Sequence, residues 1–97
     1  MQFEWDPAKD EANRRKHGLG FDAAKRLFTS GSEYLELFDD EHSDDEERFI
    51  AIGPIESGIV VVVWTERAAD TIRIISARFA TKSEIEHFRQ YVGKSDE

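Results

Sequence analysis

Between Ile59 and Phe79 the chain reads Ile-Val-Val-Val-Val-Trp-Thr-Glu-Arg, then Ala-Ala-Asp, then Thr-Ile-Arg-Ile-Ile-Ser-Ala-Arg-Phe. Two runs rich in β-branched residues, parted by small and polar ones, predict an antiparallel β-hairpin. The first run is apolar at every position from Ile59 to Val63, so both of its faces need cover and it belongs inside a sheet. The second alternates and sets Arg73 and Arg78 among isoleucines, with Arg67 just before the break. A guanidinium on an interior strand is costly unless its head reaches water or a partner. Three of them on one hairpin make it the first place to look for function.

The rest of the chain fits around this hairpin. Phe3-Glu4-Trp5 predicts a short extended start held by its aromatics. Asp6-Pro7 then predicts a helix, with Asp6 as cap and Pro7 preset in the first turn, ending at Gly18 after Arg14-Arg15-Lys16-His17. Phe21, Ala24, Leu27 and Phe28 predict a second helix over 22–28, closed by Gly31. Strands are predicted over 34–38 and 48–52, with Gly53-Pro54 breaking the chain before the hairpin. Thr81-x-x-Glu84 is a capping box for a last helix carrying Ile85, Phe88 and Tyr91 or Val92, stopped at Gly93 with a frayed tail at 94–97. The expectation is an α+β domain over 1–97: two N-terminal helices, a four-stranded antiparallel meander and a C-terminal helix.

Composition narrows the function classes. With no cysteine, disulfides, thiolate nucleophiles and cysteine-bound zinc are excluded. No apolar run approaches the length of a membrane span, and no charged-then-apolar leader precedes the first motif, so no membrane partner and a cytoplasmic location are expected. No glycine-rich phosphate loop or nucleophile motif is present. The net charge of −8 is unfavourable for nucleic acid, but residues 39–48 hold seven acids and one base. Without that block 14 acids face 12 bases (21 − 7 and 13 − 1), and the block itself reads as a solvated acidic loop over about 39–47. Its lack of a spaced glycine argues against a calcium loop, and no metal is expected.

Three blocks resemble the BrnT toxins of bacterial type II toxin–antitoxin systems. They are Phe3-x-Trp5-Asp6-Pro7-x-Lys9 with Asn13, Lys16-His17-Gly18 and Phe21-x-x-Ala24-x-x-x-Phe28; then Glu47-Arg48-Phe49-x-x-Ile52-Gly53; then Val62-Val63-Trp64-Thr65-Glu66-Arg67 with Ile72 to Ala80. The resemblance implies a RelE-like fold and a ribonuclease that blocks translation without a cofactor. It further implies RNA as substrate, silencing by a BrnA-like antitoxin that alone contacts DNA, and assembly as a homodimer or a 2:2 heterotetramer with that antitoxin.

Metal-free RNA cleavage needs a base for the 2′-hydroxyl, cations for the phosphorane and an acid for the leaving oxygen. Residue type and resemblance together assign Arg67 and Arg78 to the phosphate and His17 or Glu66 to proton transfer. Lys16, Arg73 and Trp64 are assigned to RNA binding. Each has a plainer reading. Arg67 is then a solvated turn residue, and His17 caps helix carbonyls. Arg78, beside the last helix, is preferred for the site; the other arginine then pairs with a carboxylate such as Glu66 or Glu84, and Trp64 is core. Arg73 and Arg78 are an odd number apart, so they share a sheet face only if a bulge intervenes. The rival function is a toxin-fold module of weak or absent catalysis that acts with its antitoxin in operon autoregulation; the acidic balance favours it, as does Phe88, near which the resemblance implies a tyrosine.

Overall fold

The structure, a computed structural model, describes residues 1–42 and 46–95. Asp6 is extended and its Oδ1 accepts the Ala8 amide hydrogen at 2.9 Å, so helix α1 (Pro7–His17) starts where its cap dictates. Gly18 ends it with φ 68°, its amide donating to the Arg14 carbonyl. The expected second helix is two short ones, α2 (Phe21–Ala24) and α3 (Arg26–Thr29). They part because the Phe28 amide turns to Lys25, three residues back, and breaks the four-residue ladder. The apolar face survives the break, with Phe21, Ala24 and Leu27 fully buried.

The sheet has five strands, not four, in the order β1-β5-β4-β3-β2, formed by β1 (Gln2–Glu4), β2 (Leu35–Phe38), β3 (Phe49–Ile55), β4 (Gly58–Arg67) and β5 (Thr71–Phe79). It is mixed rather than wholly antiparallel, because β1 pairs parallel to β5. Gly53 and Pro54 do not break the chain; β3 runs through both to Ile55. They lie beyond the last β2 partner, Leu35 opposite Ile52, where the missing proline amide costs no ladder bond. Gly53 is required for packing, since a Cβ there would sit 2.7 Å from Leu27 Cδ1 and from Tyr34 Cβ. Helix α4 (Lys82–Ser95) likewise passes through Gly93, which stands in its last turn where a glycine costs only about 1 kcal/mol. Of the expected acidic loop, Asp40–His42 form a 3-10 turn and 43–45 lie outside the described residues, as do 96 and 97 of the expected tail.

Two unequal cores cover the sheet. On one face Ala51, Val60, Val62, Trp64, Ile72, Ile74 and Ala77 pack against Leu19, Phe21, Ala24 and Leu27. On the other, Phe88 of α4 meets Ile52 and Val61, with Leu35, Ile50, Ile59, Ala80 and Val92 around them. Register places Leu35, Ile52, Val61 and Arg78 in one row across four strands, and α4 crosses the sheet over that row. Its start is fixed by the expected capping box: the Glu84 amide donates to Thr81 Oγ1 at 3.2 Å, and the Thr81 amide donates to Glu84 Oε1 at 2.9 Å. Arg78 joins the same carboxylate by two bonds of 2.7 Å.

The free edge of β5 is closed by a side chain. β1 reaches only from Thr71 to Arg73, leaving the β5 backbone beyond it without a strand neighbour on that side. Asn13 of α1, 8% exposed, takes the place of one. Its Nδ2 donates to the carbonyls of Ala77 and Leu19, each at 2.7 Å, and its Oδ1 accepts the Ala77 amide at 3.2 Å.

Two outcomes follow from these contacts. Asn13→Ala strands buried backbone groups at about 1–3 kcal/mol each, so chemical denaturation will show a loss of about 3 kcal/mol or more; a loss below about 1 kcal/mol contradicts the assignment. Arg78, first through its hydrogen bonds, holds the Glu84 carboxyl down at about 2 against opposing burial, with the Thr81 amide helping. A carboxyl lowered below its unfolded value near 4.3 contributes stability that is complete above about pH 5 and is lost as pH falls toward 2. Melting curves will therefore show the native chain losing more stability than Glu84→Gln between pH 5 and 2; parallel profiles contradict this.

Candidate functional site

The hairpin carries its three arginines on one face of the sheet, and a bulge is the reason. Val63 pairs with Ser76 and Trp64 with Ile74, so Ile75 has no partner on β4. The extra residue restores the alternation: Ile72, Ile74 and Ala77 are buried on the α2–α3 face, while Arg73 and Arg78 turn to the α4 face. Arg67 lies on that same face, two residues along β4 from Thr65, the partner of Arg73.

A shared face is not a shared site. Arg78 is level with Val61 and Arg73 with Thr65, four residues away on β4, which at roughly 3.3 Å per residue separates their rows by about 13 Å. Arg67 is two residues further still. Arg78 sits beneath the first turn of α4, bound through both terminal nitrogens to Glu84. Those bonds raise its own pKa and keep the carboxylate ionised, so the pair is neutral at any working pH. Arg73 meets Glu4 of β1 at 2.6 Å. Arg67 meets Glu46 at 3.3 Å through one nitrogen, with about half its side chain exposed. Arg67 and Arg73 are diagonal neighbours across β4 and β5, at a Cβ spacing of roughly 7–8 Å. The expected cluster of three guanidinium groups is therefore two neighbours plus one structural arginine, and each has an internal acid.

An open cavity of about 600 Å³ lies at the Arg67 end of the hairpin, lined by Glu46, Glu47, Phe49, Thr65, Glu66, Arg67 and Ala68. Thr65 anchors its wall, donating through Oγ1 to the Glu47 carbonyl at 2.6 Å. Glu47 and Glu66 are exposed, and neither carboxylate is hydrogen-bonded or ion-paired among the described residues. Arg67 and Glu66 are thus brought together, although they leave β4 on opposite faces. Glu46 and Glu47 belong to the acidic run that composition reads as plain solvated charge, and nothing in their spacing marks them as part of a cavity wall.

The other expected residues lie elsewhere. Trp64 is 7% exposed, stacked on Phe49 at 4.8 Å and met edge-on by Phe28 at 5.7 Å, which leaves no ring face for a base. Its register opposite Phe49 puts it on the α2–α3 side, and the plainer core reading holds. His17 is half-buried and Lys16 exposed at the end of α1, and neither lines the cavity or hydrogen-bonds another described residue through its side chain. Among the described residues no group of three or more His, Cys, Asp or Glu is arranged to hold a metal ion. Among the described residues no helix is long and apolar enough to cross a membrane.

Comparison with known proteins bears directly on this arrangement. The family model described as the ribonuclease toxin BrnT of type II toxin–antitoxin systems matches residues 5–84. The crystal structure of the Brucella abortus ribonuclease toxin BrnT superposes with a TM-score of 0.63 at 26% identity, covering 84% of this chain and 99% of that one. Curated protein sequences return no match. The family match spans both the Asn13 clip and the arginine hairpin, and the chain belongs to the BrnT family of ribonuclease toxins.

Proposed function

We propose that the chain is a metal-independent endoribonuclease that inhibits translation in the cytoplasm and is neutralised by a BrnA-like antitoxin. The observation that carries this is the meeting of Arg67 with the carboxylates of Glu66 and Glu47, unpaired among the described residues, around one open cavity. In the proposed reaction Glu66 takes the proton of a ribose 2′-hydroxyl and the freed oxygen attacks the adjacent phosphorus. The bond to the 5′-oxygen breaks, a water relays the proton held by Glu66 to that oxygen, and a 2′,3′-cyclic phosphate and a 5′-hydroxyl result with Glu66 again ionised. Arg67 faces the two non-bridging oxygens, where its fork supplies paired donors as charge develops.

Magnitude decides which arginine is available. A single-contact, exposed pair such as Arg67–Glu46 is worth about 0–1 kcal/mol, less than a charge-assisted fork on phosphate, so the exchange is favourable. Arg78 is instead bound twice to a carboxylate that also caps a helix, and leaving it breaks both. Arg73, one diagonal step away, suits the next phosphate along the strand. His17 and Lys16 have no part in this version of the site.

The rival reading, a weakly catalytic module acting with its antitoxin in autoregulation, draws on a specific observation too: each hairpin arginine already has an internal acid. Cleavage of a defined RNA separates the two. Arg67→Ala and Glu66→Gln will each slow cleavage by about 100-fold, while Arg78→Ala, assayed where it is folded, will stay within about threefold of the native rate and melt lower. Native rates in Arg67→Ala, or no cleavage by the native chain, support the rival.

A further inference from the structure

The outer edge of β2 is unlike the other edge of the sheet. On the far side β1 pairs with β5 over Thr71–Arg73 and Asn13 occupies the backbone of Ala77 beyond it, whereas Leu35–Phe38 pair only with β3 among the described residues. Two apolar side chains flank that open backbone on opposite faces: Leu37 is 44% exposed and Phe38 51%. Both end ordered rows. Phe38 lies opposite Phe49, itself opposite Trp64, with Phe38 and Phe49 edge-on at 5.7 Å. Leu37 lies opposite Ile50, itself opposite Val63. Each row stops at β2 with its last member half in water, where one more strand would bury it. Leu35–Phe38 carries no lysine, proline or bulge, and its one charged side chain is the acidic Glu36.

Charge selects the occupant. Glu33, Glu36, Asp40 and Glu41 are exposed along this edge, and Asp39 adds a fifth carboxylate. A second copy of this chain is a poor fit, because antiparallel self-pairing centred on the strand sets Glu33 opposite Asp40 of the other copy. A segment bearing lysine or arginine is a good one.

We propose that β2 is the docking edge for the antitoxin, which adds an extended segment as a sixth strand. That segment places apolar residues beside Leu37 and Phe38 and cations beside Glu36 and the flanking acids. The inference rests on the antitoxin reading above, and puts the partner's anchor on the opposite side of the sheet from β5.

The test uses the full chain co-expressed with the antitoxin encoded beside it. Leu37→Lys and Glu36→Lys will weaken the complex at least tenfold by calorimetry while leaving the melting temperature and RNA cleavage of the free chain unchanged. A photoreactive phenylalanine analogue at position 38 will crosslink to a basic stretch of the antitoxin, a readout that does not depend on the stability of the charge variants. A complex with native affinity in both charge variants, or crosslinks to a second copy of this chain or to nothing, overturns the proposal but leaves the antitoxin reading standing. Failure of the native pair to form any complex overturns both.

Discussion

The larger core depends on a single carboxamide lying against a strand edge. β1 is too short to accompany β5 along its length, and Asn13 satisfies both hydrogen-bonding groups of Ala77 where a strand would otherwise be needed. Its second donated bond, to Leu19, ties down the turn between α1 and α2. Asp10, one turn earlier, accepts the Phe21 amide at 2.8 Å and starts α2. Two polar side chains of a helix with almost no apolar surface thus deliver Phe21, Ala24 and Leu27 to the sheet, and the larger core forms on what they hold. Unmaking a buried bond of this kind costs more than making it gains, so the clip acts as a constraint on arrangement as well as a source of stability.

The same economy shapes the other face. One helix crosses one row of the sheet, and the bulge at Ile75 decides which arginine lies under it. Arg78 falls in that row and becomes the tie between β5 and the cap of α4. Arg73 and Arg67 fall outside it. A regular strand would have sent Arg73 and Arg78 to opposite faces and left a charge to be neutralised inside the larger core. Arg67, held by a single exposed contact to Glu46, lies at the hairpin end where the cavity opens.

What the sequence revealed follows the range of the interactions. Asp6-Pro7, Gly18 and the Thr81–Glu84 box are signals complete within a few residues, and all three were legible. So was the hairpin, whose β-branched runs leave little alternative. The short β1 was legible as extended, but its parallel pairing was not, since three residues carry no register information. Pro54 was misread as a break because its strand outruns its neighbour, a fact of the sheet and not of the local chain. The bulge at Ile75 and the burial of Trp64 between Phe28 and Phe49 are likewise tertiary. At the site, residue type singled out the hairpin whose end lines the cavity and, on it, Arg67 and Glu66, but only coordinates could show that each arginine has its own acid, or that an acidic run supplies part of a cavity wall.

The central claim is that phosphate is held at Arg67, clear of the structural pair beneath α4. Following arginine Nε–Hε signals by NMR, as a 2′-deoxy oligonucleotide that cannot be cleaved is titrated into the native chain, tests it most directly. Large, saturable shifts at Arg67, smaller ones at Arg73 and none at Arg78 are expected; shifts centred on Arg78, or none at Arg67, place the phosphate elsewhere and contradict the claim.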